Sequence, residues 1–565
     1  MPPCQPLQPE DILIKGDLYA RARIALDRLE QPDYRTAQLY RPSGHDWPGD
    51  VEGRTLLALL MLARWTHLDP RTVDDIMHEL PGHLNAEGCF GPLQSSGKVD
   101  EQQLGAHTWV LRALVEHYRW RRQPETKAMI LRIVETLVIP AAMHFAKYPS
   151  SVSDRSPRPV GGDDDVVGAR TQIVGNWTLS SDVGVAFSIL DGATHAYEAL
   201  DKPAPLKSAL ELIIAAFIRF DPIALSAHTH ATLTALRGLI HYHSLHPSPA
   251  FLAYTQKIYA AYNTTTRTET YTARSRLGLF PAQVHRTDPC AVIDSLALAV
   301  ELWRVTLDPS YLDDVHHVYY NALLPAQRPS GGFGHDIPTG PPTELHLVPL
   351  EDPLYETVRC TTRGGEGLAT AAALLYHVDS QADTAFVCMY HCSTATLRFA
   401  DGHLVVRQTT TYPVDGWIRL DLLESTVKTP KTLQLFLPDW ASPADLPTSS
   451  IHGRFVEAVF STNHTILVRF DIAWHREQAG SSLSLYTLRH GPLLLGASSR
   501  STAGKGRPME ETVVRLAEEA KLVPLGQASY LVEGTAVGLS ALVDLVGPLD
   551  SLERGNRKQV LFPGA

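Results

Sequence analysis

The spacing of apolar residues divides the chain into two parts with different periods. From residue 9 to about residue 378, apolar positions recur every three or four residues, which is the period of an amphipathic α-helix. Helices of similar length joined by Pro- and Gly-rich loops predict an α/α toroid, in which paired inner and outer helices close a ring around a pocket. Eleven segments carry the pattern, with almost no strand signal between them: 18–29, 54–66, 103–119, 127–145, 183–200, 206–220, 231–244, 250–262, 291–306, 311–323 and 367–377.

After about residue 384 the apolar period changes to two, which is the period of half-buried strands. Short alternating strands bounded by Asp-Gly, Pro and Ser turns predict a β-sandwich. The stretch 509–546 is mixed, with one helix predicted at 510–520. We therefore predict a helical, catalytic-type domain at 1–378 and a β-sandwich domain with a mixed C-terminal segment at 379–565. The predicted strands are 396–399, 404–411, 417–422, 432–437, 455–460, 465–470 and 482–486.

Composition narrows the class of protein. The 565 residues are 44% hydrophobic and 20% charged, the balance of a globular protein without disordered tracts. The net charge of −11 is spread without long runs of one sign, so we expect no nucleic-acid partner and no membrane partner. A small-molecule substrate is expected, and a homodimer is left open.

Localisation and redox state are predicted from short segments. The apolar runs 56–63 and 212–218 fall short of the ~18 residues that span a bilayer, and residues 1–14 lack the order of a signal peptide. These features predict a cytoplasmic protein. Six irregularly spaced cysteines are too few for a disulfide scaffold, so reduced thiols or a metal site are expected.

Two cysteines stand where inner helices are predicted to begin. Cys290 follows Asp288 and a proline, and Cys360 follows Arg359. A thiolate pair assisted by a carboxylate or an imidazole suits Zn²⁺. The structural alternative is an aspartate N-cap followed by proline in the first helical turn, with a cysteine buried in the core. The spacing alone leaves both interpretations open.

Seven segments, in order, resemble glycoside hydrolase family 127, the retaining β-L-arabinofuranosidases. Their order and spacing hold from about residue 40 to residue 495. The resemblance implies an (α/α)6 barrel with an appended β-sandwich. The segments are His-Thr-His-Ala-Thr-Leu at 228–233, Asp-Pro-Cys-Ala at 288–291, the predicted helix ending Tyr-Tyr-Asn-Ala-Leu-Leu at 319–324, Arg-Cys at 359–360, Gln-Thr-Thr-Thr-Tyr-Pro-Val-Asp-Gly at 408–416, Leu-Phe-Leu-Pro-Asp-Trp-Ala at 435–441 and Gly-Pro-Leu at 491–493.

The chain departs from that family at the residues that carry its chemistry. The resemblance implies a zinc ion held by a glutamate and three cysteines, with the first cysteine of a Cys-Cys pair as nucleophile. That position is Arg359, and a guanidinium cannot attack. Asp288, Cys290 and Cys360 remain as potential ligands of a degenerate zinc site. The acid/base glutamate has no aligned counterpart, although Glu269 lies near its expected position.

Losing both the nucleophile and the acid/base group should abolish double displacement. Three interpretations of the function then remain. The first interpretation is a glycoside-hydrolase-like enzyme that acts on a sugar or sugar-like molecule by another route. The second is a lyase, isomerase or cyclase of specialised metabolism, in which Arg359, His230 and His285 polarise a carbonyl or move protons. The third is an inactive carbohydrate-binding relative. The carboxylates available to the first are Asp182, Asp191, Asp336, Glu356 and Glu366.

The remaining candidates are side chains that could bind a substrate. Trp47 and Trp177 could stack on a sugar face, although buried tryptophans are commoner. Asp182 is also a fair N-cap for the following helix. Arg359 could instead bridge to Glu356 or Asp288 as a structural ion pair. Substrate-binding roles are further predicted for Asp50, His228 and Asp336.

Overall fold

The computed structural model describes residues 4–41, 47–94, 97–155, 168–268, 270–273, 288–339, 346–349, 356–444, 451–460, 464–478, 485–498, 520–526, 528–533, 535, 537–543, 558–559 and 562–563. Helices dominate these residues up to Leu374, and strands dominate after it. The α-helices are α1 (Gly16–Leu29), α2 (Thr36–Leu39), α3 (Asp50–Thr66), α4 (Arg71–Glu79), α5 (Glu101–Arg121), α6 (Pro124–Ile133), α7 (Ile139–Ala142), α8 (Ile189–Ala199), α9 (Ala204–Arg219), α10 (Thr229–Leu245), α11 (Pro249–Thr265), α12 (Pro289–Thr306), α13 (Ser310–Val318), α14 (Leu324–Ala326) and α15 (Val358–Leu374). The predicted change from a helical to a β-rich part is confirmed.

Six of these helices pack in a closed cycle. Helix α3 packs on α5, α5 on α8, α8 on α10, α10 on α12 and α12 on α15, and α15 packs back on α3. In the same order, each also packs on a helix outside the cycle: α4, α6, α9, α11, α13 and α1. Inner helices such as α12 are buried on nearly every face, whereas outer helices such as α9 bury one stripe, as their apolar patterns require.

Glycine lets neighbouring inner helices approach closely. A Cβ atom on Gly238 of α10 would lie 2.3 Å from the carbonyl carbon of Leu190, in α8. A Cβ atom on Gly192 of α8 would lie 2.5 Å from the carbonyl oxygen of Thr108, in α5. Because these contacts are with backbone atoms, a larger side chain would force the helices apart.

The strands form four sheets. Their orders are β1-β8-β9-β13-β16-β15, then β14-β17-β12-β11-β10-β2, then β21-β22-β23-β20-β24-β7-β6 with β18, β19 and β25 attached, and β3-β5-β4. The strands are β1 (Gln5–Pro6), β2 (Ile12–Ile14), β3 (Val99–Asp100), β4 (Arg170–Val174), β5 (Trp177–Ser180), β6 (Asp336–Thr339), β7 (His346–Pro349), β8 (Tyr376–Asp379), β9 (Thr384–Val387), β10 (Ser393–Phe399), β11 (Gly402–Thr410), β12 (Gly416–Ser425), β13 (Thr432–Phe436), β14 (Ser442–Ala444), β15 (Ile451–His452), β16 (Phe455–Val459), β17 (Thr465–Asp471), β18 (Trp474–Gln478), β19 (Leu485–His490), β20 (Leu493–Ser498), β21 (Leu522–Gly526), β22 (Ser529–Val532), β23 (Gly538–Ala541), β24 (Lys558–Gln559) and β25 (Phe562–Pro563).

Strands from the helical part join these later sheets. Strand β1 pairs antiparallel with β8, and β2 pairs antiparallel with β10. Strand β7 pairs with β24, near the end of the chain. Buried apolar residues of both parts belong to one continuous cluster. The division into two domains at residue 378 stays a prediction.

Several elements differ from their predicted bounds. Helix α15 begins at Val358, nine residues before the predicted start, because its first turns hold Thr and Gly residues whose helical signal is weak. Helix α4 and the strands β1 to β7 were not predicted, since all of them are short. The predicted helix at 510–520 lies outside the described residues except for Ala520.

The outer helix after α5 is unusually apolar. The stretch Pro124–Lys147, which covers α6 and α7, is long and apolar enough to cross a bilayer, with a hydropathy of 1.6 and 39% of its apolar window buried. This stretch exceeds the apolar runs considered in the sequence. It packs on α5, α8 and α9 as part of the helical assembly. The cytoplasmic location stays a prediction.

Candidate active site

The first turns of the inner helices meet at one end of the cycle. Local capping sets where they begin: Asp288 Oδ1 accepts the amide of Cys290 at 3.0 Å, and Thr357 Oγ1 accepts the amide of Cys360 at 3.2 Å. The side chain of His228 caps α10 in the same way. Polar side chains from different helices are thereby brought within reach of one another, and we define this region as the rim.

Arg359 is held at the rim by an ion pair with α3. Its Nε donates to Asp50 Oδ2 at 2.7 Å, and Arg54 Nε donates to Asp50 Oδ1 at 2.7 Å. Burial alone raises the pKa of Asp50, but the attraction of Arg54 and Arg359 outweighs burial and lowers the pKa to about 2. Asp50 is therefore a fixed carboxylate that orients two guanidinium groups. The predicted bridge from Arg359 to Glu356 or Asp288 is replaced by this pair.

Trp109 of α5 connects the rim to a deeper charge network. The guanidinium carbons of Arg54 and Arg363 lie 4.3 and 4.4 Å from its ring centroid. The ring of His230 stacks on it at 5.6 Å with an interplanar angle of 11°. Both guanidinium groups thus gain cation–π contacts in a place that excludes water.

His230 has both ring nitrogens engaged. Its Nε2 lies 3.0 Å from Arg54 Nη2, and its Nδ1 bonds to Asp294 Oδ2. Because Nε2 faces an arginine donor, it accepts and Nδ1 carries the hydrogen. Burial lowers the pKa of His230 even though Asp294 opposes that shift, so the ring is neutral at pH 7. This geometry leaves His230 no free nitrogen for proton transfer and makes it a positioning residue.

Asp294 is the centre of the deep network. Its Oδ1 accepts Arg237 Nη1 at 2.6 Å and also binds Arg363, and its Oδ2 accepts Thr234 Oγ1 at 3.0 Å. Attraction to Arg363 and the other cations lowers the pKa of Asp294 against the effect of burial. Glu366 bonds to Arg363 and to Arg237 Nη2, the latter at 2.9 Å. These buried charges are fully paired and hold α10, α12 and α15 together.

Glu52, two residues after Asp50, has a different environment. The side chain is half-buried, and its carboxyl group bonds to the backbone of Gly49 and of Glu52 itself. Burial raises the pKa of Glu52 to about 7, with a smaller contribution from the Asp50 charge, while the backbone hydrogen bonds and the Arg359 charge oppose the shift. A carboxyl group that titrates near neutral pH is suited to general acid or base catalysis.

The predicted zinc ligands are only partly brought together. Cys290 and Cys360 are neighbours, and a hydrogen bond between them, together with burial, raises the pKa of Cys290 well above its ordinary value. Asp288 Oδ1 is used for capping. Arg54 Nη1 points at Cys290 Sγ from 3.5 Å, which places a cation where a divalent ion would be repelled. Across the described part of the chain, no three His, Cys, Asp or Glu side chains converge to hold a metal. Arg54 disfavours a zinc ion on this pair, and the degenerate zinc site stays a prediction.

Three other predicted residues lie near the rim. Gly168 links two of them, because its amide donates to Asp182 Oδ2 at 3.2 Å and its carbonyl accepts Trp47 Nε1 at 2.8 Å. Trp47 is half-buried and stands three residues before Asp50. His228 lies with its ring edge-on to His230, at 5.9 Å. Trp47, Asp182 and His228 therefore remain candidates for substrate contacts.

Two other predicted residues, Trp177 and Glu356, have partners away from the rim. Trp177 is 1% exposed, and Phe145 and Tyr148 pack edge-on against its ring, so a stacking role for Trp177 is wrong. Glu356 pairs with Arg28 and Ser330 instead of Arg359. Asp336 begins β6. Glu269 and His285 lie outside the described residues.

Sequence reasoning missed the residues that organise this site. Arg54, Trp109, Asp294, Arg363 and Glu52 were not assigned roles. A signal did exist for Asp294, which is an acidic residue inside the apolar run 289–300 and therefore needs a buried partner. The i,i+4 pair of Asp50 and Arg54 was another such signal.

Comparison with known proteins identifies the fold. No family model and no curated protein matches the chain. A GH127 β-arabinofuranosidase structure matches with a TM-score of 0.70 at 13% identity, covering 100% of this chain and 98% of that one. A structure described as a glycoside hydrolase gives 0.71 at 13%, with the same coverage. The GH127 β-L-arabinofuranosidase of Geobacillus stearothermophilus T6 gives 0.69 at 12%, covering 98% and 100%. The chain has the fold of these enzymes, which confirms the resemblance noted in its motifs.

Proposed function

We propose that this chain is a glycoside-hydrolase-type enzyme that acts on a sugar or sugar-like molecule without a cysteine nucleophile. In this proposal the closed cycle of helices is an (α/α)6 toroid, the two six-stranded sheets are a β-sandwich, and the rim is the catalytic end. The supporting observation is the Arg359–Asp50 pair, which stands where the family resemblance puts the reactive thiol. A guanidinium tied to a carboxylate binds and orients, but it does not attack carbon.

The adjacent thiol is a poor replacement for that nucleophile. Cys360 is 2% exposed, and its Sγ lies 3.2 Å from His335 Nε2 and beside Cys290. Arg54, which is already bound to Asp50, points a second guanidinium nitrogen at Cys290 Sγ. We therefore assign Cys290 and Cys360 a packing role at the starts of α12 and α15, and no catalytic step passes through a metal.

Glu52 is our choice for the proton donor. In direct hydrolysis, the oxygen of water bonds to the anomeric carbon as the bond from that carbon to the leaving oxygen breaks. Glu52 gives its proton to the leaving oxygen, and a second carboxylate takes the proton of the water. Asp182 is our choice for that base, because Gly168 connects it to Trp47 at the rim.

A non-hydrolytic enzyme is the second candidate, and Arg359 is the observation that favours it. In a β-elimination, a base removes the proton next to a carboxylate, a carbon–carbon double bond forms, and the bond to the leaving oxygen breaks. A guanidinium stabilises the charge that builds on the carboxylate oxygens. Elimination produces an unsaturated product without consuming water, so the products distinguish the two reactions.

The test is turnover of 4-nitrophenyl glycosides that carry furanose, neutral pyranose and uronate groups, including the β-L-arabinofuranoside. We expect 4-nitrophenol release from at least one of them, and a fall of at least about 100-fold in kcat in Glu52→Gln. The matched control is Glu87→Gln, on an exposed loop. Turnover that is unchanged in Glu52→Gln, or seen only in Arg359→Cys, would contradict the proposal.

A further inference from the structure

Arg359 differs from the other arginines of the site in its exposure and pairing. Its side chain is 21% exposed, whereas those of Arg54, Arg237 and Arg363 are 7%, 7% and 1% exposed. Its Nε donates to Asp50 Oδ2. Among the described residues, no acceptor is found for Nη1 or Nη2 of Arg359. As far as the structure describes the chain, the end of this guanidinium is therefore held in place with two donors open.

The charge balance of the site also leaves Arg359 without a second partner. Five guanidinium groups, those of Arg54, Arg112, Arg237, Arg359 and Arg363, are linked to four carboxylates by ion pairs within the described residues. Each carboxylate, which belongs to Asp50, Asp191, Asp294 or Glu366, already binds two of them. Since His230 is neutral, and since Glu52 is protonated below its pKa of about 7, five positive charges against four negative ones leave one positive charge below that pH.

The surrounding backbone has the same sign. Helices α3, α10, α12 and α15 are 17 or 18 residues long, and all of them begin at the rim. The positive end of each helix dipole faces the space beside Arg359. Because the paired charges lie in the interior, the local dielectric constant is low. The attraction between the site and an incoming anion is therefore stronger than it would be in water.

We propose that the substrate is a sugar acid. In this proposal Nη1 and Nη2 of Arg359 bind the substrate carboxylate as a bidentate donor, and Asp50 fixes the orientation of the guanidinium. This inference rests on the proposed function and names its substrate class. A planar carboxylate matches two parallel N–H donors, and its single charge matches the single surplus charge. A phosphate monoester carries about −1.5 to −2 and exceeds that surplus.

The test is binding measured by isothermal titration calorimetry on the full chain. The probes are D-glucuronate, D-galacturonate, D-mannuronate and L-iduronate, each beside its neutral parent sugar, with glucose 6-phosphate as the phosphate probe. We expect at least one uronate to bind about tenfold or more tighter than its neutral parent, because a hydrogen bond to a charged group is stronger than one between neutral groups. Raising the salt concentration should weaken that preference.

Three variants separate recognition from folding. Arg359→Gln should abolish the preference for the uronate, and Arg359→Lys should keep part of it, because one ammonium replaces two planar donors. Asp50→Asn keeps the Arg359 charge but removes its anchor, so it should weaken uronate binding several-fold. The control is Arg398→Gln, an arginine 65% exposed on β10. Circular dichroism and thermal melting check that each variant is folded.

The outcomes distinguish this inference from the proposed function. Uronate binding without turnover of any glycoside would support the sugar-acid site and count against hydrolysis. Turnover of neutral glycosides that is unaffected in Arg359→Gln would support hydrolysis and overturn the sugar-acid site. Equal binding of uronates and neutral sugars, or tighter binding of glucose 6-phosphate than of every uronate, would also overturn it.

Discussion

The deep network around Asp294 and the rim around Arg359 are built from the same residue types but differ in how completely the charges are paired. Asp294 is fully buried and has two arginines, a histidine and a threonine as partners. Within the described residues Arg359 has Asp50 as its ion-pair partner, and the half-buried Glu52 is held near Arg359 by backbone hydrogen bonds, without an ion pair of its own. Complete pairing holds helices together, whereas incomplete pairing leaves groups that can act on a ligand. We therefore assign stability to the first region and chemistry to the second.

Removing the central charge should produce the largest change in stability. Asp294→Asn leaves Arg237 and Arg363 buried with one counter-charge fewer, and we expect the free energy of unfolding to fall by about 3–5 kcal/mol. Urea denaturation followed by circular dichroism measures this fall. The control is Asp27→Asn, which removes an exposed pair with Arg23 worth less than about 1 kcal/mol. Equal effects of the two substitutions would refute the distinction between the regions.

Substitution at the rim should change the rate instead. Glu52→Gln keeps the shape of the side chain but removes its proton, so we expect a loss of about 100-fold in kcat. For wild type, kcat should fall as pH rises through about 7, because the acid loses its proton there. A pH–rate profile with the same upper limb in Glu52→Gln would exclude this assignment.

The close packing of neighbouring inner helices provides a test that does not depend on charge. Gly238→Ala puts a Cβ against the backbone of α8, and we expect a destabilisation of about 1–3 kcal/mol. Gly82→Ala is the control, since a Cβ there meets no atom within 4 Å. Thermal melting compares the two variants, and a shift no larger in Gly238→Ala would mean that the inner helices are loosely packed.

The smallest expected effect concerns Glu52 and stability. Burial raises the pKa of Glu52 in the folded state to about 7, above its ordinary 4.5, so the folded chain binds more protons between those values. Stability should therefore fall as pH rises from about 4.5 to 7. Glu52→Gln removes that loss and should be about 1–2 kcal/mol more stable than wild type above pH 7, after allowance for its partial exposure. The free energies of unfolding of wild type and Glu52→Gln, measured at pH 5 and at pH 8, test this expectation. A difference between the two proteins that is the same at both pH values would contradict it.

The sequence predicted the periodic parts of the molecule and left out its interior pairings. Helices such as α5 and α12 were predicted within a few residues, because their apolar periods are long. Arg359 and Cys360 were identified by their place in a motif. Asp50 as the partner of Arg359 was not, because the two stand 309 residues apart and only the packing of α15 on α3 brings them together.

The same reasoning explains the error at Trp177. A tryptophan near a polar loop fits both a ligand surface and the core, and the choice depends on Phe145 and Tyr148, which precede it by about thirty residues. Glu52 was overlooked for a related reason. Its position in the first turn of α3 is ordinary for an acidic residue, and only the surrounding burial raises its pKa.

The pairing of α1 with α15 has a consequence for synthesis of the chain. Helix α1 packs on α3, which follows it closely in the chain, and on α15, which begins more than three hundred residues later. The strands β1 and β2 likewise wait for β8 and β10. Helix α1 can therefore pack on α3 early in synthesis, whereas its contact with α15, and with it the closure of the cycle of helices, must wait until α15 has been made.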